Sequence, residues 1–237
     1  ISALKRGRSD YADNVMTASK CIPFFPPSPL HEIISKYVVD NLDEVDKVIF
    51  TFSNDSDMQY PLHPVMTTDS IAGYNIIYIL IDAWNASTYN SENTPNIYRF
   101  AYDKGQYFSD HSACAHWTRE GVYNLFFGFS SHYHEQTDEQ DISPLLIDRM
   151  LDCGYNIQTF PSAGFGWPPL GESIFKRVKG FNREIDGETV FDRDNKITDM
   201  AIDYIDNQSE DKPFFAFLFY DLAHAISIPE PYRKKFT

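Results

Sequence analysis

From Tyr74 onward, nearly continuous apolar runs take turns with stretches whose apolar residues recur every three or four positions. The first kind suits strands covered on both faces, and the second suits the helices that cover them. NIIYILIDA and KPFFAFLFYD are the two longest apolar runs and predict buried strands, with NIQTF as a third. TPNIYRFAYDKG predicts a helix with Thr94 at its N-cap, Pro95 in its first turn and Gly105 past its end. TREGVYNLFFG predicts a short helix closed near Gly128, and SPLLIDRMLDCGY a helix opened by Ser143 and Pro144 and stopped by Gly154. Asp192 to Gln208 carries Ile197, Met200, Ala201, Tyr204 and Ile205 at helical spacing and predicts an amphipathic helix. QYFSDHSAC reads as a further strand, and SHYHE as a loop. Strands alternating with helices predict an α/β fold with a sheet covered on both faces.

Residues 1–70 follow a different pattern, and they read as an N-terminal extension or linker to a main domain spanning 71–237. The Pro-rich PFFPPSP and the polar SNDSD interrupt any long periodic element there. Within the extension, Leu30 to Leu42 predicts one amphipathic helix, and QYPLHP leads toward the first strand. The chain opens on Ile1 with Lys5, Arg6 and Arg8 close behind, and the expectation is that a membrane region precedes it. No apolar run within the sequence approaches the roughly 20 residues of a membrane-spanning helix.

Charge narrows the partners. Twenty Lys and Arg against 34 Asp and Glu leave a net charge of −14, a field that repels nucleic acid and anionic bilayers. Nucleic acid is therefore excluded as an expected partner. Cys21, Cys114 and Cys153 form no CxxC pair, so they read as separate thiols, with a Cys114–Cys153 disulfide as the alternative. Lys176, Arg177, Lys179 and Arg183 read as a solvated basic face, with a lipid-headgroup or phosphate contact as the functional alternative; Arg233, Lys234 and Lys235 read the same way.

Candidate chemistry sits where strands end. In open α/β sheets, sites form at the carboxyl ends of the strands, which is where Asp82 follows IIYILI. A carboxylate there can hold a divalent ion or cap the following turn. Thr118 opens a predicted helix, where N–H groups and the helix dipole favour an anion. Its hydroxyl is a candidate nucleophile or a plain cap. Arg119 is a candidate anion contact or a solvated charge. His224 follows the strand ending at Asp221 and can donate to an anionic substrate, ligate a metal or serve structurally. His132 and His134 make an HxH pair with no third ligand at useful spacing.

Together, NIIYILIDAW, HWTREGVYNLFFG, PLLIDRMLDCGYNIQTF and KPFFAFLFYDLAHAISIPEPY resemble, in order, segments of the alkaline phosphatase superfamily in its sulfatase and phosphoethanolamine-transferase branch. The resemblance implies a sandwich of helices around a mostly parallel sheet. It maps the metal-binding aspartate to Asp82, the nucleophile and a further metal contact to Thr118, and substrate contacts to His224 and Arg119. The implied cofactor is a divalent metal, Mg, Mn or Zn. The implied ligand is a phosphate or sulfate ester.

QYPLHP, TREGVYNLFFGFSSHY and the Pro-rich extension are similar more closely to the periplasmic domain of the YejM (PbgA) family of inner-membrane proteins. That resemblance implies a place on the periplasmic face of a bacterial inner membrane, with lipid headgroups or an inner-membrane protein as partners. It also implies a role in lipopolysaccharide and cardiolipin homeostasis in which binding or sensing outweighs catalysis. The alternative is a hydrolase or phosphoethanolamine-type transferase using Thr118. The sulfatase Cys/Ser-x-Pro-x-Arg motif is absent, so formylglycine chemistry is not implied. The superfamily's later Asp-His-Gly segment and further histidine are expected past Thr237, leaving the remaining metal ligands outside this chain and a sheet edge uncovered.

Overall fold

The computed structural model describes residues 58–65, 73–225 and 229. The predicted helix at Leu30 to Leu42, Cys21 and the basic triplet Arg233, Lys234 and Lys235 lie outside them. Three strands, β1 (Ile76–Ile81), β2 (Asn156–Pro161) and β3 (Phe214–Tyr220), form one parallel sheet in the order β1-β3-β2. Between β1 and β2 come α1 (Pro95–Lys104), α2 (Thr118–Phe127), α3 (His134–Glu139) and α4 (Leu145–Asp152). Between β2 and β3 come the one-turn α5 (Leu170–Ser173) and the long α6 (Val190–Asp206).

The central strand fixes where the core lies. β3 is FFAFLFY, apolar at every position, and its side chains alternate between two cores as a strand's must. Phe215, Phe217 and Phe219 face Val122 and Phe126 of α2, Ile147 and Met150 of α4, and the Leu170–Val178 segment. Phe214, Ala216 and Leu218 face Ile197 and Ala201 of α6. Aromatic contacts dominate the first core: Phe217 meets Tyr78, Phe126 and Phe175 at ring separations of 5.9, 5.4 and 5.6 Å. Such tilted and edge-on geometries add to what burial alone contributes.

β1 departs from the two-sided burial its sequence predicts. Tyr78 and Leu80 pack on the first core, but Ile77 and Ile79 are 48% and 56% exposed. Among the described residues α6 packs on β2 and β3 on that face, which leaves these two β1 side chains uncovered there. The edge of β2 is covered instead: Asn182 donates its backbone N–H to Gln158 Oε1 and its side-chain amide to the Thr159 carbonyl, while Thr159 Oγ1 donates to the Asn182 carbonyl.

Other local readings shift in ways the geometry explains. QYFSDHSAC forms no strand: residues 106–114 are exposed, and no strand among the described residues pairs with them. SHYHE is a short 3₁₀ turn, Ser131–Tyr133, running into α3 rather than a loop. The N-cap before Leu145 is Pro144, and Ser143 instead donates its hydroxyl to Asp148 Oδ1. α6 begins at Val190, because Thr189 and Asp192 form a reciprocal capping box. Cys114 and Cys153 are free and exposed, so the alternative disulfide is absent. Lys176, Arg177 and Arg183 pair with Asp141, Asp148 and Glu172 rather than standing as a free solvated face.

The segment before β1 belongs to the packed body. The Tyr60 hydroxyl donates to the Phe127 carbonyl at the end of α2 and accepts from the Leu145 N–H at the start of α4, joining the two helices. Its ring sits edge-on to Phe129, with 5.0 Å between centroids. Truncating the central side chain of the first core tests this account. Phe217→Ala should lower the unfolding free energy by about 3–5 kcal/mol in a denaturant titration, with far-ultraviolet circular dichroism unchanged before the transition.

Candidate functional site

Register builds the site. Ile81 stands opposite Tyr220 in the parallel β1–β3 ladder, and the ladder extends one step further through the Asp82 N–H to the Tyr220 carbonyl, 2.9 Å. Asp82 and Asp221 therefore leave the sheet side by side at its carboxyl end. Ala83 follows in the left-handed region, φ 54°, which turns the chain away and leaves the Asp82 carboxylate at the rim. After β3 the backbone closes a tight turn in which the N–H groups of His224 and Ala225 both reach the Asp221 carbonyl at 3.1 Å. That turn brings the His224 imidazole back over Asp221, with Nδ1 3.5 Å from Oδ1.

α2 delivers the threonine to the same rim. Its N-cap is Trp117, which makes no side-chain cap, and Thr118 is the first helical residue. Rather than capping its own helix, the Thr118 hydroxyl donates to Asp82 Oδ2 at 2.9 Å across 36 residues of sequence. The plain-cap reading of this threonine does not describe it. The first turn has no side-chain cap, and its residues Thr118, Arg119 and Glu120 line a cavity.

That cavity holds about 280 Å³. Asp82, Thr118, Asp221 and His224 form its polar end; Trp117, Ala163, Trp167, Pro168 and Phe219 form the apolar walls. Arg119 is placed at the cavity but is not a free cation: Nε and Nη2 both donate to Glu120 Oε1, at 3.1 and 2.9 Å, and the guanidinium lies 5.7 Å from the Trp167 ring. The other oxygen of Glu120 is buried with no hydrogen-bond partner among the described residues. His132 and His134 stand apart from the site. His132 Nδ1 bonds the Ser130 hydroxyl, and His134 Nδ1 the Ser131 carbonyl.

The donor set fits a hard divalent cation. One oxygen each from Asp82 and Asp221 and one nitrogen from His224 lie within 4.8 Å of one another, with the Thr118 hydroxyl bonded to the first. Asp221 carries the electrostatic strain of that convergence. Its side chain is 14% exposed. Burial raises its pKa above the ordinary carboxylate value, His224 and Arg193 pull it back, and the neighbouring Asp82 and Asp194 raise it further. Sequence reading had named Asp221 only as a strand end. Trp117, Trp167 and Asp194 carry no sequence motif of their own, although Asp194 is an acid on the apolar stripe of α6.

A family model described as Sulfatase matches residues 74–237. The chain belongs to the sulfatase family. The parallel sheet with helices on both faces is accordingly an alkaline phosphatase-like α/β fold. Among curated relatives, the inner membrane protein YejM of Salmonella typhimurium strain LT2 is 25% identical over 155 residues, 65% of this chain and 26% of the relative. The YejM protein of Salmonella typhi is similar to the same extent. The chain thus spans about a quarter of the length of these relatives. No helix among the described residues is long and apolar enough to cross a membrane.

The raised Asp221 carboxyl makes the metal-free protein sensitive to pH in a definite direction. The folded state holds this proton more tightly than the unfolded chain, whose reference value is 3.8, so the carboxyl costs stability as pH rises through its folded pKa. With a chelator present, Asp221→Asn should be more stable than wild type at neutral pH, and the difference should vanish near pH 3. Melting temperatures measured across that range decide it.

Proposed function

We propose that this is the periplasmic-face, sulfatase-like domain of an inner-membrane protein that takes part in outer-membrane lipid homeostasis. In this reading the site binds the anionic ester of a lipid headgroup, lipopolysaccharide or cardiolipin by resemblance, or engages an inner-membrane protein partner. Asp82, Asp221, His224 and the Thr118 hydroxyl hold a divalent cation, Mg, Mn or Zn. The cation supplies charge neutralisation of the ester oxygens. The open N–H groups of the first turn of α2 offer donors to the same anion. Residues 1–70 would link this domain to the membrane region, apart from the Tyr60 segment that packs on it.

The single observation that carries the reading is the Thr118 hydroxyl donating to Asp82 Oδ2, with Asp221 and His224 beside them. Two relatives named as inner membrane proteins support the location. The balance of charge supports binding over turnover: the basic side chain nearest the site, Arg119, is committed to Glu120 and stacked near Trp167, so it is poorly placed to stabilise a developing negative charge.

One observation favours a second reading, in which the site hydrolyses or transfers a phosphate or sulfate ester. The same hydrogen bond presents the Thr118 hydroxyl to a carboxylate that can accept its proton, which is the arrangement an activated nucleophile requires. The N-terminus of α2 would then orient the ester, while Trp117 and Trp167 would limit water access.

Calorimetric titration with Mn²⁺ tests both. Wild type should bind the ion, and Asp82→Asn should lose at least the roughly 10–100-fold in affinity that outer-shell changes alone produce. Cation-dependent binding to cardiolipin vesicles without hydrolysis of a chromogenic phosphate ester supports the first reading. Hydrolysis abolished in Thr118→Ala supports the second. Absence of any divalent-cation binding by wild type overturns both.

A further inference from the structure

The residues that form the rim of the site are held from below by a part of the molecule the site itself does not include. α6 runs along the face opposite α2, and its residues Arg193 and Asp194 reach the carboxyl ends of two adjacent strands. Arg193 Nε donates to the carbonyl of Ser162, just past β2, at 2.7 Å. Asp194 Oδ1 accepts the N–H of Asp221 at 3.2 Å, and Oδ2 accepts the N–H of Leu222 at 3.1 Å. Gly187 makes room for this reach, since a Cβ there would stand 2.6 Å from Arg193 Cγ.

Asp194 is 9% exposed and does not cap its helix, because Thr189 and Asp192 already do so. A buried carboxylate is costly unless its oxygens are satisfied. Both of its oxygens are satisfied, and both by the turn that carries Asp221 and His224. This position also places a further negative charge beside Asp221, which opposes folding of the cation-free site. An asparagine would satisfy one N–H and set its own amide against the other.

We propose that Asp194 is a positioning residue for the cation site: by fixing the backbone of Asp221 and Leu222, it holds the Asp221 carboxylate and, through the following turn, the His224 imidazole in register with Asp82 and Thr118. The inference rests on reading those residues as cation ligands. It assigns to the far face of the sheet a control over the ligand geometry that no ligand residue itself provides.

The test uses Asp194→Ala and Asp194→Asn, with Thr198→Val as the comparison. Thr198 sits one turn further along α6 and bonds the Tyr220 hydroxyl at 2.8 Å, so its loss loosens the same helix–strand contact without freeing the Asp221 turn. Amide hydrogen exchange and Mn²⁺ affinity are measured on the folded fraction of each protein. Both Asp194 variants should weaken Mn²⁺ by roughly 10–100-fold, the range for losing an outer-shell partner. They should also accelerate exchange at Asp221 and Leu222, whereas Thr198→Val should do neither. Should Asp194→Ala fail to fold, Asp194→Asn, which keeps one acceptor and the same volume, decides the outcome. Unchanged affinity in the Asp194 variants, with or without faster exchange, overturns the proposal and leaves the cation site standing. A wild-type protein that binds no Mn²⁺ while its Asp221 and Leu222 amides are protected overturns the cation reading and, with it, this role.

Discussion

Everything at the rim depends on the parallel pairing of β1 with β3. Because Ile81 faces Tyr220, the next residue on each strand is an aspartate, and the two carboxylates emerge together with no loop needed to aim them. A slip of one residue would send Asp82 to the opposite face of the sheet and break its bond to Thr118. The register is in turn enforced by burial. β3 has no polar side chain among its seven residues except the terminal Tyr220 hydroxyl, and each face of the strand meets its own core. Shifting it by one residue would exchange Phe217 for the small Ala216 at the centre of an aromatic cluster, which close packing would not absorb.

The two faces of the sheet contribute differently to the site. The α2 face supplies chemistry, since Thr118, Arg119 and Glu120 stand in its first turn at the cavity. The α6 face supplies support, through side chains that grip the backbone where β2 and β3 end. Between them, the Tyr60 segment ties the end of α2 to the start of α4. The helix that carries Thr118 is thus fixed at its far end as well, so Thr118 meets Asp82 as part of a packed unit.

The strands and long helices were legible because their patterns are strong. β3, β2, α2 and α4 fall within a residue or two of where periodicity and caps place them. Order in the sheet was not legible, since apolar periodicity says that a strand exists and not which strand lies beside it. QYFSDHSAC shows the limit of local pattern: Tyr107 and Phe108 carry strand propensity and Tyr107 stacks on Tyr89, but no strand among the described residues offers them a ladder, and propensity alone does not make a strand. Of the candidate residues, Asp82 could be placed at a strand end from the sequence, yet its meeting with Thr118 depends on a contact spanning 36 positions. Family resemblance carried that step. Asp194 was missed although it lies three residues before Ile197 and seven before Ala201, on the buried stripe of α6. A charge on that stripe is either a defect or a partner for something buried, and here it has two backbone donors.

The arrangement of charge makes an argument about the site's resting state. Asp82 and Asp194 both lie close enough to act on Asp221, and the basic side chains near it are Arg193, already donating to the Ser162 carbonyl, and His224, whose side chain is 64% exposed. Hydrogen bonds satisfy part of this acidity: Thr118 serves Asp82 and two N–H groups serve Asp194. Asp221 receives the least, and burial together with its neighbouring carboxylates holds its pKa above the ordinary range. Without a cation, that carboxyl costs stability as pH rises through its folded pKa. On the proposed cation reading the same carboxyl serves as a ligand only when ionised, so cation binding and proton release would be coupled and affinity would rise with pH. On that reading the convergent carboxylates lower the stability of the cation-free protein, and a cation held among them would offset the repulsion.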